Sequence, residues 1–193
     1  MAEYVADAQQ VGAAGTSAPG DPVALSTFAT TTVILGCVFT GFIAPVLGTG
    51  LNFFAAVAFF GGLVLLLLGL RSSATLYIAY GGFLMTLGAI FVPFFGMASA
   101  ASHSLLGLFF LTWTIFSGML LLSTLRSSIS TVLIHVLFFL AFLSLTIGEL
   151  AAGMTVFLSI GGWLAIICGL IAWYNALVGL LSTDHSFFKL PAW

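Results

Sequence analysis

Residues 159–181 read SIGGWLAIICGLIAWYNALVGLL and hold no Lys, Arg, Asp or Glu. The run exceeds the roughly 20 residues a helix needs to cross a hydrocarbon core of about 30 Å, so it predicts a transmembrane helix. At about 100° per residue, Gly161, Ala165, Gly169, Ala172, Ala176 and Gly179 fall in one narrow stripe. Leu164, Ile167, Leu170, Ile171, Trp173 and Tyr174 cover the other faces. In lipid, apolar burial gives no preference between neighbours, and helices associate where small residues let backbones approach closely. The stripe is therefore expected to meet another helix, within the protomer or across an interface. Asn175 lies at its edge, where a carboxamide must find a partner or line a wet cavity.

The same character extends over the chain. Hydrophobic residues make up 62% of the 193 and charged residues 4%, against about 25% charged in a soluble domain. This composition belongs to an integral membrane protein. A net charge of −2 without a basic run gives no footprint for nucleic acid. Cys37 and Cys168 both fall within apolar runs, where a thiol is ordinarily a small packing group. Residues 1–22 are rich in Ala, Gly and polar residues and lack the basic start and apolar centre of a signal peptide, so a mobile soluble tail is expected. A six-helix transmembrane domain is expected over 23–181, and the polar segment STDHSFFKLPAW, 182–193, forms a short closing tail.

Within 23–181 the predicted spans are Val23 to Leu47, Phe53 to Leu70, Leu76 to Phe94, Ser104 to Leu122, Thr131 to Ile147 and the 159–181 helix. Gly48, Thr49 and Gly50 read as a turn after the first. The fold class is thus all-α, a polytopic membrane protein with six transmembrane helices around a central pathway. Arg71, Arg126 and Lys189 are the only Lys or Arg residues, and with six spans all three share the side of both termini. The positive-inside rule makes that side the cytoplasm.

No nucleophile with a base, no carboxylate pair, no metal-ligand cluster and no glycine-rich phosphate loop is present, so the sequence does not read as an enzyme and implies no cofactor or metal. His135 is the histidine that falls inside a span, where an ionisable group is expensive. It reads either as a neutral imidazole hydrogen-bonded to a neighbouring helix or as a proton relay. Glu149, at the far end of the same span, is expected to face the outer headgroups. In the first span Phe28, Thr31, Thr32 and Leu35 share a face. Threonine hydroxyls there either bond back to their own helix or replace water around a passing polar solute.

Several stretches together resemble the acetate uptake transporter family, the microbial acetate and succinate permeases and their fungal relatives. They are DPVALSTFATTT (Asp21 to Thr32), FFGGLV (Phe59 to Val64), YGGF with AIFVPFFG (Tyr80 to Gly96), LTWTIF (Leu111 to Phe116) and IAWYNALVGLL (Ile171 to Leu181). The AWYNA segment and the SFFKLP tail look closest to the fungal branch. The resemblance implies a homohexamer in the plasma membrane, with one pathway per protomer for short monocarboxylates such as acetate, open to proton coupling and to succinate. It also implies a constriction formed by Phe28, Tyr80 and Phe138, the last where the family has leucine. Thr31, Thr32 and Asn175 would then offer hydrogen bonds along the pathway, with His135 as a possible relay. The chain departs from the family signature Asn-Pro-Ala-Pro-Leu-Gly-Leu over Pro19 to Leu25, and Leu65 stands where the family has glutamine. These departures keep a non-transporting membrane scaffold or sensor in view, and the resemblance to the fungal relatives adds a third role, ammonium export.

Overall fold

The computed structural model describes residues 21–42, 49–72, 75–95 and 102–181, and of residues 49–54, 71–72 and 93 the backbone alone. Residues 1–20 of the first expected tail and all of the second, with His185 and Lys189, lie outside the described residues, as does the side chain of Arg71; Asp21 and Pro22, expected in the tail, instead open the first helix. Among the described residues six α-helices follow one another: α1 (Pro22–Phe39), α2 (Thr49–Ser72), α3 (Thr75–Phe91), α4 (His103–Thr124), α5 (Ile129–Leu150) and α6 (Thr155–Leu181). A single 3-10 turn, Pro93–Phe95, follows α3. No strand occurs among the described residues.

Helices α1, α4, α5 and α6 are each long and apolar enough to cross a membrane. The 17 residues of α3 reach about 26 Å at 1.5 Å per residue, and the 24 of α2 reach further. The chain is a multi-pass membrane protein.

Local chemistry explains where the helices stop. Asp21 caps α1 by accepting a hydrogen bond from Val23 N at 3.0 Å, with Pro22 in the first turn, where its missing N–H is not needed. Ser102 and Ser128 cap α4 and α5 in the same manner. Helix α1 ends at Phe39, well before the expected Leu47, because Gly41 takes φ +74 and turns the chain out of the helix. Apolarity continued past that point, and apolarity alone could not mark the end. Thr49 and Gly50, expected in a turn, instead begin α2. Helix α3 gives way at Phe91, two residues ahead of Pro93, because a proline disfavours helical geometry in the residue before it.

The packing follows the small residues. On α6, Gly161, Ala165, Gly169, Ala172, Ala176 and Gly179 are all buried, so the predicted stripe is an intramolecular contact face. A Cβ on Gly162 would lie 2.7 Å from Gly36 O, and one on Gly36 would lie 2.5 Å from Gly162 O, so α1 and α6 touch backbone to backbone. Gly161 meets Ala141 and Leu145 of α5. Gly62, Gly81 and Gly88 join α2 to α3 in the same way, and Gly107 seats Leu150 of α5 against α4. Each close approach replaces the hydrophobic force that lipid does not supply.

Candidate functional site

Three helices each contribute one ring to the centre of the bundle. Phe28 of α1 and Tyr80 of α3 have centroids 4.6 Å apart; Phe138 of α5 lies 5.5 Å from Phe28 and 5.0 Å from Tyr80. Their exposures are 1%, 1% and 6%, so the rings close on one another. All three sit in the first half of an odd-numbered helix, which places them at one level, nearer the end of the bundle that carries the Arg126 turn.

A second tier continues from the first. Phe142, one turn beyond Phe138, lies 4.5 Å from it and 4.9 Å from Phe83, which stacks on Tyr80 at 5.5 Å. Phe110 of α4 touches both Phe83 and Phe142. Sequence reasoning missed Phe83 and Phe110, since in a span apolar on every side a buried phenyl ring has the same neighbours in sequence as one facing lipid. Offset and edge-on contacts of this kind contribute about 0.5–1.5 kcal/mol each beyond area burial.

Hydroxyls thread the apolar cluster. Thr32 Oγ1 donates to Phe28 O at 2.6 Å and lies 2.8 Å from the Tyr80 hydroxyl. A threonine hydroxyl has one proton, so the Tyr80 O–H donates across to Thr32. Thr31 bonds back to Thr27 O and Phe28 O, and its methyl group points at α2, where a Cβ on Gly61 would meet it at 2.5 Å. Further out, Thr114 of α4 and Thr146 of α5 pair at 3.0 Å, both buried. Asn175 is half-buried beside Ala176, and among the described residues no hydrogen bond joins it to the ring cluster.

The titratable groups lie above and below the rings on one face of α5. His135, Phe138, Phe142, Thr146 and Glu149 recur at helical spacing, and all five are buried. His135 is held through Nδ1 by Thr131 O at 2.8 Å, one turn back on its own helix and not on a neighbour. Glu149 overturns the expectation of a headgroup-facing carboxylate. It is 5% exposed and lies within α5, and its Oε2 meets His103 Nδ1 of α4 at 2.7 Å. The spacing on α5 carried that information, since Glu149 follows Phe138 by 11 residues and Phe142 by seven, whole numbers of turns to a good approximation.

Known proteins agree with this architecture. The GPR1/FUN34/yaaH family matches over residues 8–193. Acetate permease A of Emericella nidulans is 34% identical over 88% of this chain and 64% of its own length. Accumulation of dyads protein 2 of Saccharomyces cerevisiae is 33% identical over 89% of this chain and 66% of its own. The chain thus spans just under two thirds of the length of these curated relatives. The structure of the bacterial acetate channel SatP superposes with a TM-score of 0.76 at 28% identity, covering 91% of this chain and 98% of that one. A six-helix bundle with this ring cluster, matched nearly end to end, belongs to the GPR1/FUN34/yaaH family.

Proposed function

We propose that the chain is a permease or channel for small monocarboxylates, acetate foremost, with succinate as a larger solute. One observation carries the reading: rings from α1, α3 and α5 meet at centroid distances of 4.6–5.5 Å in the centre of the bundle, with threonine hydroxyls beside them. Phe28, Tyr80 and Phe138 act as the constriction. Thr31, Thr32 and Asn175 serve the solute's polar end where it has shed water. Burying an unpaired charge among such rings is expensive, so the neutral acid crosses more cheaply than its anion. The pathway therefore favours proton-coupled movement, and His135, one turn from Phe138, is the relay on its side of the rings. The protein sits in the plasma membrane as a homohexamer with both termini in the cytoplasm, and it is a passage and not a catalyst. The family likeness supports the hexamer, and the Arg71, Arg126 and Lys189 distribution supports the orientation.

Uptake of labelled acetate into proteoliposomes, with and without a pH gradient, tests the reading. Acetate entry above that of protein-free vesicles, enhanced by an inward proton gradient, is the expected result. A second reading draws on the closeness of the rings, which fill the centre of the protomer: a sealed bundle that serves as a scaffold or sensor. Absence of acetate flux from correctly assembled protein would favour it, and ammonium flux in its place would favour the exporter.

A further inference from the structure

The apolar constriction raises a chemical question at its far end: where does an arriving carboxylate collect the proton that lets it cross as a neutral acid? Small carboxylic acids titrate near about pH 4–5, so at neutral pH almost all of the solute is anionic. The end of the bundle away from the Arg126 turn carries one arrangement suited to this. His103 opens α4 with its side chain 61% exposed, and its Nδ1 is 2.7 Å from Oε2 of Glu149, whose side chain is 6% exposed. The ring is seated against Gly153, where a Cβ would lie 2.5 Å from His103 Cε1, and Gly153 itself takes φ +78. The imidazole is thus fixed on one edge by the carboxylate and on one face by the α5–α6 turn.

With Nδ1–H donated to Glu149, the other nitrogen, Nε2, is left out of that pair, on a side chain that is 61% exposed. A carboxylate that orients one imidazole nitrogen and stabilises the imidazolium, leaving the second to transfer protons, is an acid–base dyad. Its placement fits the pathway. Glu149 lies on the buried α5 face that also carries Phe138 and Phe142, about 16 Å beyond Phe138 by helix rise. Of the other elements at this end, α1 brings the half-buried Cys37 thiol, and the described parts of α3 and α6 bring no charged or titratable side chain. The connecting segments 43–48 and 96–101 carry no charged residue in sequence.

We infer that His103, positioned by Glu149, is the proton donor at this mouth of the pathway, and that its ligand is the carboxylate of the solute. The inference rests on the permeation reading above. In the step, the Nε2–H bond of the imidazolium breaks and an O–H bond forms on the solute. The neutral acid moves on to the rings, and the imidazole takes a replacement proton from water. Beyond the rings, His135 has its Nδ1–H engaged by Thr131 O, which leaves Nε2 as the acceptor for the emerging acid. Donor, held by Glu149 of α5, and acceptor, on α5 itself, thus flank the constriction, and the reverse flux uses them in reverse order.

Tracer acetate exchange in proteoliposomes, at equal pH on both faces and corrected for protein-free vesicles, tests this with Glu149→Gln and His103→Gln. Glu149→Gln keeps an acceptor for Nδ1–H and removes the charge behind the imidazolium. At about pH 7 each variant should exchange acetate about tenfold more slowly than the parent. That is less than the roughly hundredfold a placed acid supplies, because some acid arrives already protonated by water. At about pH 5, where water protonates much of the solute, the deficit should shrink to about twofold or less. A merely structural pair would slow exchange by the same factor at both pH values, and that result overturns the inference. Variants that match the parent at both pH values also overturn it. Both results leave the permeation reading standing, because the parent still transports. A parent that moves no acetate at either pH removes the permeation reading and this inference with it.

Discussion

The Tyr80 hydroxyl donates to Thr32 Oγ1 across 2.8 Å, and this bond ties α3 to α1 at the level where three aromatic rings meet. Thr32 uses its own proton on Phe28 O, so the cross-helix bond depends on Tyr80 as donor. Thr32→Val keeps the shape and removes the acceptor 2.8 Å from a 1%-exposed phenol, which is left only its lesser interaction with Thr31. The expected loss of stability lies between about 0.6 kcal/mol, the mean for interhelical bonds in a membrane protein, and about 2 kcal/mol for a stranded buried donor. Unfolding of the purified variant in detergent measures it, and a midpoint equal to the parent's would show that the bond contributes nothing.

Phe138→Ala opens the ring cluster on the α5 side. The succinate-to-acetate flux ratio should rise about tenfold, the lower end of what one apolar contact decides in a pocket. A ratio cancels differences in the amount of active protein. An unaltered ratio, with robust acetate flux in the parent, would take Phe138 out of the pathway and leave Phe142 as the next ring to test.

Two glycine substitutions separate close packing from open space. Gly36→Ala drives a methyl group to 2.5 Å from Gly162 O, and α1 must move off α6 at a cost of about 1–3 kcal/mol. Gly82→Ala meets nothing within 4 Å and should be neutral or stabilising by up to about 1 kcal/mol through helix propensity. Equal effects at the two positions would contradict the packing described for α1 and α6.

Cysteine placed at Ser127, in the turn beside Arg126, should resist impermeant thiol reagents applied to intact cells. Cysteine at Met154, exposed between α5 and α6, should react. The opposite pattern would invert the orientation drawn from Arg71, Arg126 and Lys189.

Much of this bundle was legible in sequence. Uninterrupted apolar runs located all six helices, and the glycine and alanine spacing of α6 identified its contact face before any partner was known. Two kinds of information were not legible. Helix ends depend on single backbone conformations, such as Gly41 at φ +74, which apolarity does not report. Inward and outward faces were equally obscure along α3 and α4, where lipid and protein interior demand the same residues. Phe83 therefore read like any lipid-facing ring. Glu149 read as an interfacial charge because its partner lies 46 positions earlier in the chain.

The contact between Gly36 and Gly162 also sets a condition on synthesis. Helix α1 is made before α6, and the face it offers to α6 has no partner until about 120 more residues have been made, on the order of ten seconds at ribosomal rates. Until α3 follows with Tyr80, the threonine hydroxyls of α1 have only their own helix to satisfy them. Thr27, Thr30, Thr31 and Thr32 each donate to a carbonyl one turn back, so α1 enters lipid with these hydroxyls already bonded. The earlier helix is thereby able to wait for the later one.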